Sequence, residues 1–254
     1  MLTAILFGIA ASSALVIGAI VGSLWDPPRE VTGILLAFAS GALISALAFE
    51  LFEEAYRLGG ASRSGLALLA GAAAFVIADT LLDRRVTGTS GPKQREVAAA
   101  GAAQDAEDKT AGAQRTVGLA LLAAVTLDGV PENLALGVSL VDDASLALLV
   151  AIFFSNLPEA LVGAVAMRAG GQHMRSVVVT WVICAVLLAV AVVAGRALAE
   201  PMSDATLSIA LGFAGGAVLA SLADTLMPEA FERGKPFTAF ACAAGFFLSF
   251  MLAA

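Results

Sequence analysis

Residues 121–140 read LLAAVTLDGVPENLALGVSL, and residues 147–167 read ALLVAIFFSNLPEALVGAVAM. Each stretch is long and apolar enough to cross a membrane, and each has a Pro-Glu pair at its middle: Pro131-Glu132 and Pro158-Glu159. A helix that only anchors a chain in lipid contains neither residue. Proline removes a backbone donor and frees the carbonyl four residues earlier, here those of Leu127 and Phe154. A carboxylate at bilayer depth costs about 2.5–3.5 kcal/mol even on the lenient insertion scale. The combination occurs twice, 27 residues apart. It reads as a polar site built at the membrane midplane.

The rest of the chain fits a membrane. Of 254 residues, 59% are hydrophobic and 14% charged, and mean hydropathy is +0.92. A soluble domain carries about 25% charged residues. The net charge is −7 and the basic residues are few, so nucleic acid is not an expected partner. No Ser/His pair and no phosphate-cradling G-x-x-x-x-G-K-[ST] loop is present, so the chain reads as neither an enzyme nor an ATP-driven pump. Cys184 and Cys242 each stand alone in an apolar run and read as packing residues. The single histidine, His173, falls in a loop and reads as a surface residue.

Charged and Pro/Gly punctuation divides the chain into eight spans, at about 2–24, 31–57, 63–83, 116–141, 144–169, 175–198, 204–232 and 236–254. The first, uncharged from Leu2 to Trp25, reads as a span and not as a signal peptide. Residues 84–115 are rich in Ala, Gly, Gln and mixed charge and read as a flexible cytoplasmic loop. One side of the membrane receives Arg29, Arg84, Arg85, Lys93, Arg95, Lys109, Arg115, Arg168, Arg175, Arg233 and Lys235. The other receives Arg57, Arg63 and Arg196. The basic side is the cytoplasmic one, which places both termini outside.

Two repeats order these spans. Residues 38–59 (FASGALISALAFELFEEAYRLG) and 213–234 (FAGGAVLASLADTLMPEAFERG) are identical at 10 of 22 positions without gaps. They lie on spans two and seven, which cross in opposite directions. The second repeat, DGVPENL against SNLPEAL, lies on spans four and five, again antiparallel. The expected fold is an all-α integral membrane protein with eight transmembrane helices in a 3+2+3 inverted-repeat arrangement. Inverted repeats with a midplane site at broken helices mark secondary transporters. Outer triplets rocking against the central pair would alternate access.

The chemistry follows from the spacing. Asp128 and Glu132 share one helix face, as do Ser155 and Glu159, and Asn156 adds an amide. If the two faces meet, they offer an all-oxygen donor set suited to a divalent cation. Other carboxylates mark a path on either side: Glu50 and Glu54 near the outer end of span two, Asp79 toward the inner end of span three, and Asp224 and Glu229 on span seven.

At this level of detail the chain resembles the ZIP (Zrt-, Irt-like) divalent metal transporters, bacterial type, over its whole length. That family carries His-Asn-x-Pro-Glu-Gly or close variants in both central spans. Pro131, Glu132, Asn156, Pro158 and Glu159 match it, and LFEEA and LMPEA resemble the family's ends of spans two and seven. The resemblance implies a metal site between spans four and five with Glu132, Asn156 and Glu159 as ligands. It implies uptake toward the cytoplasm, across a prokaryotic cell (inner) membrane, with zinc, manganese or iron as substrate rather than resident cofactor. Here the family's histidines are Asp128 and Ser155, Gly129 replaces the first Asn, and Asn133 and Ala160 replace the two glycines. Span six lacks the carboxylate that many bacterial members offer a second metal, so a single site of divergent composition is expected. Two alternatives stay open: a non-transporting metal sensor or scaffold, and a proton or solute carrier. Membrane lipid and metal ions are the expected partners, with monomer and homodimer both open.

Overall fold

The structure, a computed structural model, describes residues 1–86, 126, 129–141 and 146–253. Asp128, nearly all of the expected loop 84–115 and most of the first half of the expected span 116–141 lie outside the described residues. Among those described there are helices and no strands. They are α1 (Leu2–Leu24), α2 (Arg29–Ala46), a π-turn (Leu47–Phe52), α3 (Glu53–Val86), α4 (residues 129–139), α5 (Leu146–Ala169) and α6 (Met174–Ala199). Then come α7 (Asp204–Ser221), a second π-turn (Leu222–Leu226), α8 (Met227–Gly234) and α9 (Thr238–Ala253).

Five of the described helices are long and apolar enough to cross a membrane: Leu2–Leu24, Arg29–Leu81, Leu146–Ala169, Met174–Ala199 and Asp204–Gly234. The protein is an all-helical integral membrane protein. Its surface suits lipid. The outer side of α6 exposes Ile183, Val186, Leu187 and Val190. Hydroxyls on the helices turn back onto carbonyls of their own turn: Ser23 to Ala19, Ser40 to Leu36, Thr80 to Val76, Thr225 to Ser221. In a medium without water, that is the nearest acceptor.

The stretch Arg29–Leu81 is 53 residues long. Straight, it would extend about 80 Å, more than twice the roughly 30 Å hydrocarbon core. It breaks at Gly60, whose φ of 70° and ψ of 171° suit only glycine. Before the break the chain runs antiparallel to the α7–α8 stretch. Gly33 meets Gly234, Leu51 meets Gly215, and the Ser208 hydroxyl donates to the Ala55 carbonyl at 2.6 Å. After it, the chain runs parallel to α7, with Ser64 against Gly212 and Leu68 against Gly216. Gly60 therefore reverses the chain.

Helix contacts rest on glycine, as expected where lipid removes the hydrophobic drive and close packing must replace it. A Cβ at Gly41 would overlap the Cys242 carbonyl of α9, and one at Gly245 the Phe38 carbonyl of α2. A Cβ at Gly216 would overlap the Leu68 carbonyl of α3, and one at Gly71 the Phe213 carbonyl of α7. The two contacts correspond. An offset of 175 residues carries Phe38 to Phe213 and Gly41 to Gly216, the same offset that aligns 38–59 with 213–234. It also carries the start of the first π-turn, Leu47, to the start of the second, Leu222.

The remaining helices form another set of close contacts. Gly18 and Gly22 of α1 take the carbonyls of Leu157 and Leu161 on α5. Gly129 and Gly137 of α4 meet Leu188 and Val192 on α6, and Gly8 of α1 meets Ala189 on α6. Packing thus gathers α1, α4, α5 and α6 on one side and α2, α3, α7, α8 and α9 on the other. This grouping is by contact, not by the sequence order on which the expected outer triplets and central pair rest. The reason is the distribution of small residues: the glycines of α1 face α5 and α6, not α2. Between the two groups lies a shared core that includes Leu43, Leu136, Leu148, Ile152 and Leu222, with the Phe38 and Phe154 rings edge to face at 5.0 Å.

Candidate metal site

Helices α4 and α5 meet at their Pro-Glu segments. Glu132, only 3% exposed, accepts a hydrogen bond from the Ser155 hydroxyl at 3.1 Å. That hydroxyl also lies 3.0 Å from the Ile152 carbonyl of its own helix. One proton serves two acceptors, so Ser155 can release Glu132 without losing a partner. Pro158 lies inside α5, which continues through it to Ala169. Glu159 follows on the next turn from Ser155 and is partly buried.

The amides beside these groups are fully buried. Asn156 donates from Nδ2 to the Ala11 carbonyl of α1 at 3.4 Å, and Asn133 donates from Nδ2 to the Gly129 carbonyl at 2.8 Å. In both, the other amide atom, Oδ1, has no hydrogen-bond partner. A buried polar atom left unpaired costs about 1–3 kcal/mol. Both are carbonyl-type oxygens of the kind that hard cations accept as ligands.

Among the described residues, no three His, Cys, Asp or Glu side chains gather around one point. The described donors are instead mixed: carboxylate at Glu132 and Glu159, hydroxyl at Ser155, amide at Asn156 and Asn133. The structure thus brings Glu132 and Ser155 into contact, holds Asn156 on the α1 side of α5, and leaves Asp128 outside the described residues.

The flanking carboxylates fall into three settings. Glu54 pairs with Arg57 one turn on, with Nε to Oε2 at 2.7 Å, and Glu229 pairs with Arg233, Nε to Oε1 at 3.0 Å. These two glutamates are equivalent in the repeat, and each is neutralised locally. Glu50 and Asp224 each sit in a π-turn, a local widening of the helix often found at functional sites. Asp79 is buried, 6% exposed, in the second limb of α3.

Two buried polar side chains escape sequence reasoning. Asn133 stands where the resemblance has glycine, and only its burial and unpaired oxygen set it apart. Cys184 is buried as a packing residue would be. Its thiol nevertheless shares a hydrogen bond with the Thr126 side chain and lies within electrostatic reach of Glu159. Its one signal in the sequence is the i, i+3, i+7 stripe of Trp181, Cys184 and Leu188, indistinguishable there from ordinary core.

A family model described as ZIP zinc transporter matches residues 84–253, about two thirds of the chain and everything from the end of α3 to the end of α9. No curated protein matches it.

Proposed function

Because the chain belongs to the ZIP zinc transporter family, as a membrane protein for divalent metal ions, we propose that it takes up zinc, iron or manganese toward the cytoplasm through a midplane site between α4 and α5. The observation that carries this reading is the buried Glu132–Ser155 contact between two proline-containing helices, with unpaired amide oxygens on the adjacent residues Asn133 and Asn156. The ligands are Glu132, Glu159, Asn156 and Ser155, with Asp128 from its spacing. Glu50, Glu54, Asp79, Asp224 and Glu229 mark the path on either side.

The eight-span inverted arrangement has independent support. The close pairs α1 with α5, α4 with α6, and α7 with the second limb of α3 each run parallel, which alternating spans require of members an even number of crossings apart. The coincidence of both π-turns and both glycine contacts at an offset of 175 supports an inverted copy. The helix grouping favours α1, α4, α5 and α6 as the moving part, with α2, α3, α7, α8 and α9 as its frame. Basic loops favour a cytoplasmic face between α1 and α2, with both termini outside, in a prokaryotic cell membrane.

The test is metal flux into liposomes that contain the purified protein and a metal-sensitive dye. Saturable entry of at least one of zinc, iron and manganese is expected. Binding without flux would sink transport in favour of a sensor, and flux of protons or another solute indifferent to metal would favour a carrier of a different kind. Within this reading, Ser155→Ala is expected to weaken cation affinity by up to about tenfold, one hydrogen bond's worth of ~1 kcal/mol, with maximal flux retained.

A further inference from the structure

We propose that α1 is a positioning element of the transport site: the Ala11 carbonyl, by accepting from the Asn156 amide, fixes that amide with its oxygen free to bind a cation. The proposal rests on the reading above, with Asn156 among the ligands, and names the group that orients it.

A side-chain amide has two ends of similar shape, and only the oxygen end suits a cation. Asn156 is fully buried, so no solvent averages the two orientations. The Ala11 carbonyl, 3.4 Å from Nδ2, selects between them. A carbonyl has no proton to give, so the oxygen end of the amide cannot face it. Within α1 that carbonyl takes one helical bond and keeps a second lone pair for Asn156.

Oδ1 is on the other branch of the amide and has no hydrogen-bond partner. An amide buried only to tie two helices together would pair both ends, as buried polar groups do. Here one end is spent on α1 and the other is left open. On α5, the residue before Asn156 bonds Glu132, and the residue three after it is Glu159.

The contact depends on how closely α1 lies on α5. Gly18 and Gly22 seat α1 against the Leu157 and Leu161 carbonyls, where a Cβ on either glycine would overlap the oxygen. A methyl added at Gly22, about three turns along α1 from Ala11, therefore pushes the two helices apart. It stretches a hydrogen bond that is already long, without touching a site residue.

The chain has two asparagines, Asn133 and Asn156. Carbon-13 at the asparagine side-chain carbonyl gives two infrared bands, told apart by Asn133→Ala. The test uses the purified full-length protein in liposomes, with zinc, ferrous iron and manganese as probes. Coordination weakens the C=O bond, so the Asn156 band is expected to move to lower frequency with whichever metal binds. Gly22→Ala is expected to lower the affinity for that metal about tenfold, and to lower it no further in Asn156→Ala protein. An Asn156 band unmoved by bound metal overturns the proposal. So does a Gly22→Ala effect of equal size with and without Asn156, which marks general loosening of the bundle. Both results leave the transport site standing. If Gly22→Ala does not fold, the unaltered protein decides. An amide held by Ala11 gives a narrow Asn156 band before metal is added. A band that is broad and narrows only on binding means that the metal orients the amide, and overturns the role of α1. No binding of any of the three metals by the unaltered protein overturns both the proposal and the site.

Discussion

Glu132→Gln is expected to abolish the proposed saturable divalent-cation uptake, by at least about a hundredfold, while the protein folds and inserts normally. The size follows from what the side chain does. It is buried, it is bonded across the α4–α5 contact by Ser155, and it is a carboxylate in a region where charge is expensive unless matched. Even partners that only orient a metal ligand cost 10–100-fold in affinity when lost, and a ligand must exceed them. Glutamine keeps the volume and can still accept from Ser155, so folding is preserved and the missing charge is isolated. The measurement is metal flux into liposomes, with melting in detergent as the check on folding. Uptake within tenfold of the unaltered protein would remove Glu132 from the site. Glu159→Gln is expected to behave in the same way.

Gly216→Leu is expected to prevent assembly of the helix bundle. The glycine lies where even a Cβ would overlap the Leu68 carbonyl of α3, and a backbone oxygen cannot swing aside as a side chain can. Ordinary overpacking costs about 1–3 kcal/mol. Here the two helices must separate and forfeit the contact along the whole α3–α7 seam, so the loss approaches the stability of the fold, ~5–15 kcal/mol. The expected result is aggregation in size-exclusion chromatography, or a melting temperature lowered by tens of degrees. Gly65→Ala is the control. Nothing lies within 4 Å of a Cβ there, so that variant should assemble and melt as the unaltered protein does. A Gly216→Leu protein that elutes and melts like the control would show that α3 and α7 are not packed as described.

The residues that announce the site are those whose chemistry contradicts their surroundings. Pro131, Glu132, Pro158 and Glu159 stand out because an apolar helix has no use for them. The matching stretches 38–59 and 213–234 stand out by simple identity, and the structure returns the same offset in its contacts and π-turns. What the chain hides is of another kind. Which helices touch depends on glycines facing particular neighbours, and with 25 glycines in the chain no spacing singles out the partner of Gly18 or Gly137. A π-turn has no residue signature, so the widening at Leu47 and Leu222 is silent until backbone hydrogen bonds are in place. Cys184 is hidden by its setting, since a small apolar residue in an apolar run looks the same whether or not its thiol is hydrogen-bonded. Asn133 is hidden by comparison, read as a departure from a pattern and not as a buried amide.

A π-turn is one residue more than an α-helix needs. That surplus carries chronology. Two helices that acquired it separately would seldom acquire it at the same place, yet Leu47 and Leu222 open the two turns at one shared offset, and the flanking stretches align without a gap. If the halves descend from one ancestral unit, the insertion is older than the duplication. The half-length ancestor already had its widened helix, and every later sequence change in the two copies has been made around it.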